Sequence, residues 1–170
     1  MFHLYNTLLT FSLTRRRVPP LQHSTYFFSP QTTCQLKVEL TYHHEPYSYN
    51  VKYKPSGNYI AAYNTFFIAG PEDNYRLNVS GYSGDARDMF LRYPGTMFST
   101  RDKDNDMRSE NCAIHRKGGW WYPMCFWGHD ANPNGLWGTS HPLRGHMSWY
   151  SLTGMNAVQG THLKIKQIRQ

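Results

Sequence analysis

An α+β fold is predicted for this chain: a short antiparallel sheet with few helices and long loops. Three observations carry that prediction. Apolar and polar residues alternate in several short runs, the period of half-buried strands. One short helix is predicted, over Asp85 to Leu91. Beyond Gly128 the density of Gly, Pro, Asn and His argues for long structured loops, not regular elements. With 170 residues, 39% apolar and 16% aromatic content, the chain can bury one substantial core and is globular, not disordered. No internal repeat is present.

The elements follow in chain order. Leu4 to Leu13 is a moderately apolar run followed by Arg15-Arg16-Arg17. A secretory leader carries its charge before the apolar core, so this order does not make one, and the run is too short for a membrane span. Leu36, Val38 and Leu40 alternate with Lys37, Glu39 and Thr41. Tyr47, Tyr49, Val51 and Tyr53 alternate with Ser48, Asn50, Lys52 and Lys54. Each run predicts a half-buried strand. The turn at Pro55 to Asn58 leads from the second run into Tyr59 to Tyr63, which predicts a hairpin. Farther on, Tyr75, Leu77 and Val79 share one face of a strand, opposite Arg76, Asn78 and Ser80. The sequon Asn78-Val79-Ser80 therefore projects from that strand as a candidate glycosylation site. A last strand is predicted around His162 to Ile168.

Lys and Arg outnumber Asp and Glu by 18 to 11, giving a net charge of +7. The surplus gathers at Arg15 to Arg17 and at Lys164, Lys166 and Arg169. Such a balance favours anionic partners. No nucleic-acid-binding signature accompanies it, and the basic residues alternate along a strand, as on a solvated face. No nucleic-acid partner is expected. No GxSxG, HExxH, P-loop or dinucleotide fingerprint occurs, so the sequence gives no reason to expect an enzyme.

The chemistry concentrates between Phe98 and Cys125. Asp102, Asp104 and Asp106 alternate, crowding three carboxylates that repel one another. Such a cluster is either a solvated acidic turn or the seat of a hard cation. An EF-hand does not fit, because Met107 stands where its sharp turn needs Gly and Ala113 where its bidentate Glu belongs. Calcium here requires another loop, with two or three carboxylates and backbone carbonyls. So few charges suggest an affinity of roughly 10⁻⁴–10⁻³ M. Cys112 and Cys125 flank Lys117-Gly118-Gly119-Trp120-Trp121-Tyr122, whose glycines allow a tight turn and whose rings demand burial. The two cysteines read as a disulfide, as zinc ligands or as buried thiols. A disulfide would stabilise by roughly 3 kcal/mol in the chain-entropy account. Zinc is disfavoured by the lack of CxxC or CxxH spacing.

Taken together, FST-x-D-x-DND, NCA, GGWWY, the following cysteine and the Asn134-Gly135 pair resemble the fibrinogen C-terminal (fibrinogen-like) domain. Fibrinogen chains, ficolins, tachylectins, angiopoietins and tenascins carry this domain. The likeness runs from Cys34 to Arg169 and includes LKVEL, YRLNVSGYSGDARD and HLKIKQIR. It implies a partial fibrinogen C-terminal-like domain over 34–170, its loops stabilised by calcium and a disulfide. Residues 1–33 are then a divergent segment in place of the family's N-terminal subdomain, and the 47–63 hairpin an insertion. The resemblance further implies calcium ligation by the Asp104 and Asp106 carboxylates and the Arg108 and Glu110 carbonyls, with Asp102 outside the ligand set. It pairs Cys112 with Cys125, and it leaves Cys34 as a buried thiol or a bridge to another chain. The Met124–Cys125 peptide is the one often cis in the family, beside a pocket for acetyl groups, sugars or a peptide terminus.

Three departures from the family pattern stand out, the first two on the rim of that pocket. Phe126 stands where the family has His, which removes a polar contact. The path from Cys125 to the Asn-Gly turn is lengthened, and Arg87 replaces the glycine usual between Ala86 and Asp88. The residues expected to bind ligand are Met124, Cys125, Phe126 and Trp137; Phe126, Trp127 and Trp137 read equally well as packing aromatics. The implied function is a secreted, calcium-stabilised lectin of innate immune recognition that binds acetylated sugars or related glycans. Homo-oligomerisation through other regions would supply its avidity. The alternative is a structural or signalling ligand for a protein receptor.

Overall fold

The structure, a computed structural model, describes residues 2–5, 8–12, 33–43, 54–125, 131–137, 145–154 and 156–168. Its strands are β1 (Phe2–Tyr5), β2 (Leu8–Ser12), β3 (Cys34–Tyr42), β4 (Gly57–Ile68), β5 (Leu77–Gly84), β6 (Ala131–Asn132), β7 (Ser148–Trp149) and β8 (Gly160–Gln167). Two short helices, α1 (Cys112–Arg116) and α2 (Tyr150–Thr153), and one 3₁₀ turn at Pro71–Asp73 complete the described elements. Six strands form one sheet in the order β1-β2-β8-β3-β4-β5, and β6 pairs with β7 separately. Every pairing is antiparallel. The chain is an α+β domain of mostly strands and loops, as the alternating runs predict.

Alternation decides which face of each strand is buried. Leu36, Val38 and Leu40 of β3 lie inside, opposite Tyr63, Ala61 and Tyr59 of β4. Leu163 and Ile165 of β8 join the same face opposite Val38 and Leu36. The register shifts between Cys34 and Leu36, which lets Tyr63 and Phe66, three residues apart, both reach the core. Phe90, Tyr93, Trp120, Trp121 and Tyr122 from the loops, Trp149 of β7 and Leu152 of α2 share one core cluster with this face. Phe90 is their hub, with Trp120 stacked on it at 5.7 Å and Tyr93 and Trp149 edge-on. Loops this long hold their shape because large rings, and not backbone ladders, fill the space above the sheet.

Several expectations change. The hairpin partner expected for Tyr59 to Tyr63, the Tyr47 to Tyr53 run, lies outside the described residues. Among the described residues β4 pairs with β3 on one side and, from Ala61 onward, with β5 on the other. The Asp85 to Leu91 helix does not form. Its carboxylates serve β4 instead: Asp85 accepts from the Ile60 N–H at 2.7 Å, and Asp88 from the Tyr63 hydroxyl and the Phe90 N–H, each at 2.9 Å. Side-chain acceptors of this kind compete with helical turns. Tyr75 does not share the face of Leu77 and Val79; it is exposed and has φ +53°, ahead of β5. Asn78 is exposed on β5, one of the two edge strands of the six-stranded sheet. Of the first 33 residues, β1 and β2 form a hairpin that lengthens the sheet beyond β8, with Leu9 opposite Ile165 and Phe11 opposite Leu163.

Candidate functional site

The acidic loop is tied down at both ends by the motif residues around it. Ser99 and Trp120 exchange backbone hydrogen bonds of 3.0 and 3.1 Å, joining the FST segment to the GGWWY segment. Asn105 donates its amide to the Phe98 carbonyl at 2.6 Å, and its backbone N–H to Ser99 Oγ at 3.0 Å. Asn111 donates to the Thr100 carbonyl at 2.9 Å, while its Oδ1 accepts from the Ile114 N–H and caps α1. Sequence reasoning missed α1, although an Asn just before Cys-Ala-Ile-His-Arg is a usable N-cap signal.

Within this frame the Asp106 carboxylate is half-buried. Its Oδ1 accepts from the Arg108 N–H and its Oδ2 from the Cys112 N–H, each at 2.9 Å. Asp104 lies alongside, with Oδ1 accepting from the Asp106 N–H at 3.2 Å. Burial, and next to it the neighbouring Asp104, push the Asp106 carboxyl above its ordinary value, against the two backbone donors. Asp102 is exposed and bonded within its own turn, where the Thr100 hydroxyl first lowers its carboxyl. The Glu110 side chain turns away from the pair, to Arg108 Nη2 at 2.6 Å and His115 Nε2 at 3.3 Å. Among the described residues no hydrogen bond occupies the Glu110 carbonyl.

This donor set fits a hard cation. Two crowded carboxylates, one of them half-buried, leave oxygen lone pairs free beyond their hydrogen bonds. A divalent ion would remove their mutual repulsion. Among the described residues no group of three or more His, Cys, Asp or Glu side chains converges, so any such site has to draw on backbone carbonyls.

Cys112 and Cys125 are bonded to each other with Cα atoms 5.7 Å apart, so neither thiolate is available to zinc. Cys34 keeps a buried thiol outside that bridge, raised above the ordinary value by burial. The Met124–Cys125 peptide is trans, which corrects the expectation of a cis bond there. Met107 N–H donates to the Pro123 carbonyl at 3.3 Å, and Arg108 Nη1 to the Cys125 carbonyl at 3.2 Å. The acidic loop thus grips the segment that contains Met124 and Cys125. Trp137 is 57% exposed and donates Nε1 to the Gln159 carbonyl at 2.9 Å; no described hydrogen bond joins it to Met124 or Cys125. Phe126 and Trp127 lie outside the described residues.

Behind the disulfide a buried polar cluster sets the path of the chain. Asn132 donates to the carbonyls of Arg116 and His146 at 2.9 and 3.0 Å, and the Tyr122 hydroxyl sits 2.8 Å from both Asn132 Oδ1 and the Gly118 carbonyl. No sequence pattern announced Asn132, because its side-chain partners, two backbone carbonyls and a tyrosine hydroxyl, come from three separate parts of the chain.

Comparison with known proteins agrees with this layout. Residues 35–168 match the family described as fibrinogen beta and gamma chains, C-terminal globular domain. Techylectin-5A of Tachypleus tridentatus is 37% identical over 121 residues, covering 71% of this chain and 39% of that protein. Fibrinogen C domain-containing protein 1 of Macaca fascicularis is 33% identical over 143 residues, covering 82% and 31%. The chain therefore spans between about a third and two fifths of these relatives' length. The fibrinogen-like globe domain of human ANGPTL6 superposes with a TM-score of 0.64 at 26% identity, over 82% of this chain and 59% of that one. No helix among the described residues is long and apolar enough to cross a membrane.

Proposed function

The chain belongs to the fibrinogen C-terminal domain family, and on that premise we propose that it is an extracellular, calcium-stabilised recognition domain for acetylated sugars or related surface glycans. The observation that carries the reading is the crowded Asp104/Asp106 pair, bonded through Asp106 to the Cys112 amide and through Arg108 to the Cys125 carbonyl. The Asp104 and Asp106 carboxylates would hold calcium with the carbonyls of Arg108 and Glu110. When bound, the ion supplies the positive charge that two adjacent carboxylates lack.

The chain's own residues do the rest. Asp106 fixes the start of α1, the Cys112–Cys125 disulfide fixes the segment after GGWWY, and Met107 and Arg108 hold that segment from the other side. Backbone amides held so offer a ligand preset partners, which lowers the entropy cost of binding. Met124, Cys125, Phe126 and Trp137 are the residues proposed to meet it. A disulfide is at home in an oxidising compartment, and the exposed sequon at Asn78 suits the secretory route. A relative named as a lectin supports the glycan.

The test is binding of the oxidised protein to immobilised N-acetylglucosamine and N-acetylgalactosamine conjugates, in calcium and in chelator. Calcium-dependent binding, competed by acetylated and not by unacetylated sugar, is expected. Absence of binding in calcium, or binding indifferent to both chelator and competitor, overturns the reading. A second reading, a structural or signalling ligand for a protein receptor, is favoured by the exposed Met107 and Ile114 beside the same loop and by a relative named angiopoietin-related protein 7.

A further inference from the structure

Arg108 is placed unlike any other side chain of the acidic loop. Its backbone N–H donates to Asp106 Oδ1 at 2.9 Å, so its main chain is locked to the carboxylate pair. Its half-buried guanidinium reaches across to the other side of the disulfide. There Nη1 donates to the Cys125 carbonyl at 3.2 Å and lies 3.9 Å from Cys125 Sγ, while Nη2 pairs with Glu110 at 2.6 Å. Glu110 is in turn 3.3 Å from His115 on α1, so the fork is braced from behind. A guanidinium can donate in two directions in one plane; a lysine ammonium, a single point of charge, cannot reproduce that fork.

Only one other described hydrogen bond leads from residues 102–110 to residues 123–125, the weaker contact of Met107 N–H with the Pro123 carbonyl at 3.3 Å. Met107 and Arg108 thereby take alternate carbonyls, those of Pro123 and Cys125, and bracket Met124. Met124 has no hydrogen bond of its own among the described residues. Beside the disulfide, which anchors Cys125 to Cys112, the 123–125 segment is therefore ordered from the acidic loop by where Arg108 is held, its main chain by Asp106 and its guanidinium by Glu110.

We propose that the Arg108 side chain is the positioning residue that transmits metal occupancy of the acidic loop to the Pro123–Cys125 segment. The inference rests on the calcium reading of Asp104 and Asp106. In it the Arg108 main chain and side chain would have separate tasks: the carbonyl would serve as a metal donor, while the guanidinium holds the Cys125 carbonyl. Substituting the side chain uncouples the two loops without removing a metal donor.

Amide hydrogen exchange of the oxidised protein, in calcium and in chelator, tests this on wild type, Arg108→Ala and Arg108→Lys, with disulfides reduced only after quenching. In wild type, calcium slows exchange in peptides covering both 102–110 and 121–125. In Arg108→Ala it still slows 102–110, while the effect at 121–125 falls by about tenfold, the worth of one charge-assisted hydrogen bond. Arg108→Lys lies between, and decides the matter should Arg108→Ala fail to fold. Equal protection of 121–125 in wild type and both variants overturns the coupling and leaves the metal site intact. Protection of 102–110 alone in wild type also overturns it. No effect of calcium on either segment in wild type overturns the metal reading and the coupling together.

Discussion

Arg87 occupies the left-handed region with φ +63°, at the position where the family resemblance implies glycine. A side chain there brings Cβ against the neighbouring carbonyl, at a cost of roughly 1–2 kcal/mol. Glycine removes that clash but loses about 0.5–1 kcal/mol through the greater freedom of its unfolded chain. The Arg87 side chain is exposed and makes no described hydrogen bond or ion pair. Its carbonyl, which accepts from Trp149 Nε1 at 3.2 Å, is present whatever the side chain. Arg87→Gly is therefore expected to stabilise the fold by about 0.5–1 kcal/mol, or roughly 1–4 °C in a domain of this size. Arg87→Ala keeps the Cβ and should stay within about 0.5 kcal/mol of wild type. Thermal and urea melts of the three proteins measure both. A glycine variant that melts at or below wild type, or an alanine variant that gains as much, refutes the reasoning.

Gly118 should tolerate no side chain, since a Cβ there would overlap the Asn134 carbonyl, whereas one at Gly119 meets the edge of the Phe98 ring at 3.2 Å. Gly118→Ala is expected to cost about 1–3 kcal/mol or more, and Gly119→Ala less, by urea melts. Glu39 lies between Lys164 at 2.6 Å and Lys37 at 2.9 Å, and the Lys164 bond first, then Lys37, holds its carboxyl below the ordinary 4.5. A depressed folded value contributes stability above the unfolded value, lost as the pH falls through the folded one. Glu39→Gln should thus cost less than about 1 kcal/mol at neutral pH, a gap that closes in acid melts below that window. Expressed through a eukaryotic secretory route, the protein should carry a glycan at Asn78, seen as a mass decrease in Asn78→Gln.

What the sequence could and could not disclose follows from how local each cause is. Alternation in β3 and β8 revealed which residues are buried, because the strand period is a property of the strand alone. It could not choose neighbours: that Tyr59 to Tyr63 pairs with β3 is a choice made across the sheet. The helix expected at Asp85 to Leu91 gives way to carboxylates recruited by Ile60 and Tyr63, residues 25 positions away. The carboxylate pair and the disulfide were legible as compact motifs. Arg108 was legible only as a donor of its carbonyl; the reach of its guanidinium to Cys125 depends on how two loops are folded together. Asn132 was illegible for the same reason.

The most direct test of the account is a set of thermal melts of the oxidised protein in calcium and in chelator, repeated on the double variant Asp104→Ala, Asp106→Ala. With a dissociation constant of roughly 10⁻⁴ M, calcium at about a hundredfold excess over it stabilises by about 2.7 kcal/mol. That corresponds to roughly 5–10 °C. A rise of this size in wild type, abolished in the double variant, is the predicted result. A cooperative melt that calcium leaves unmoved contradicts the account and removes the ion from the mechanism.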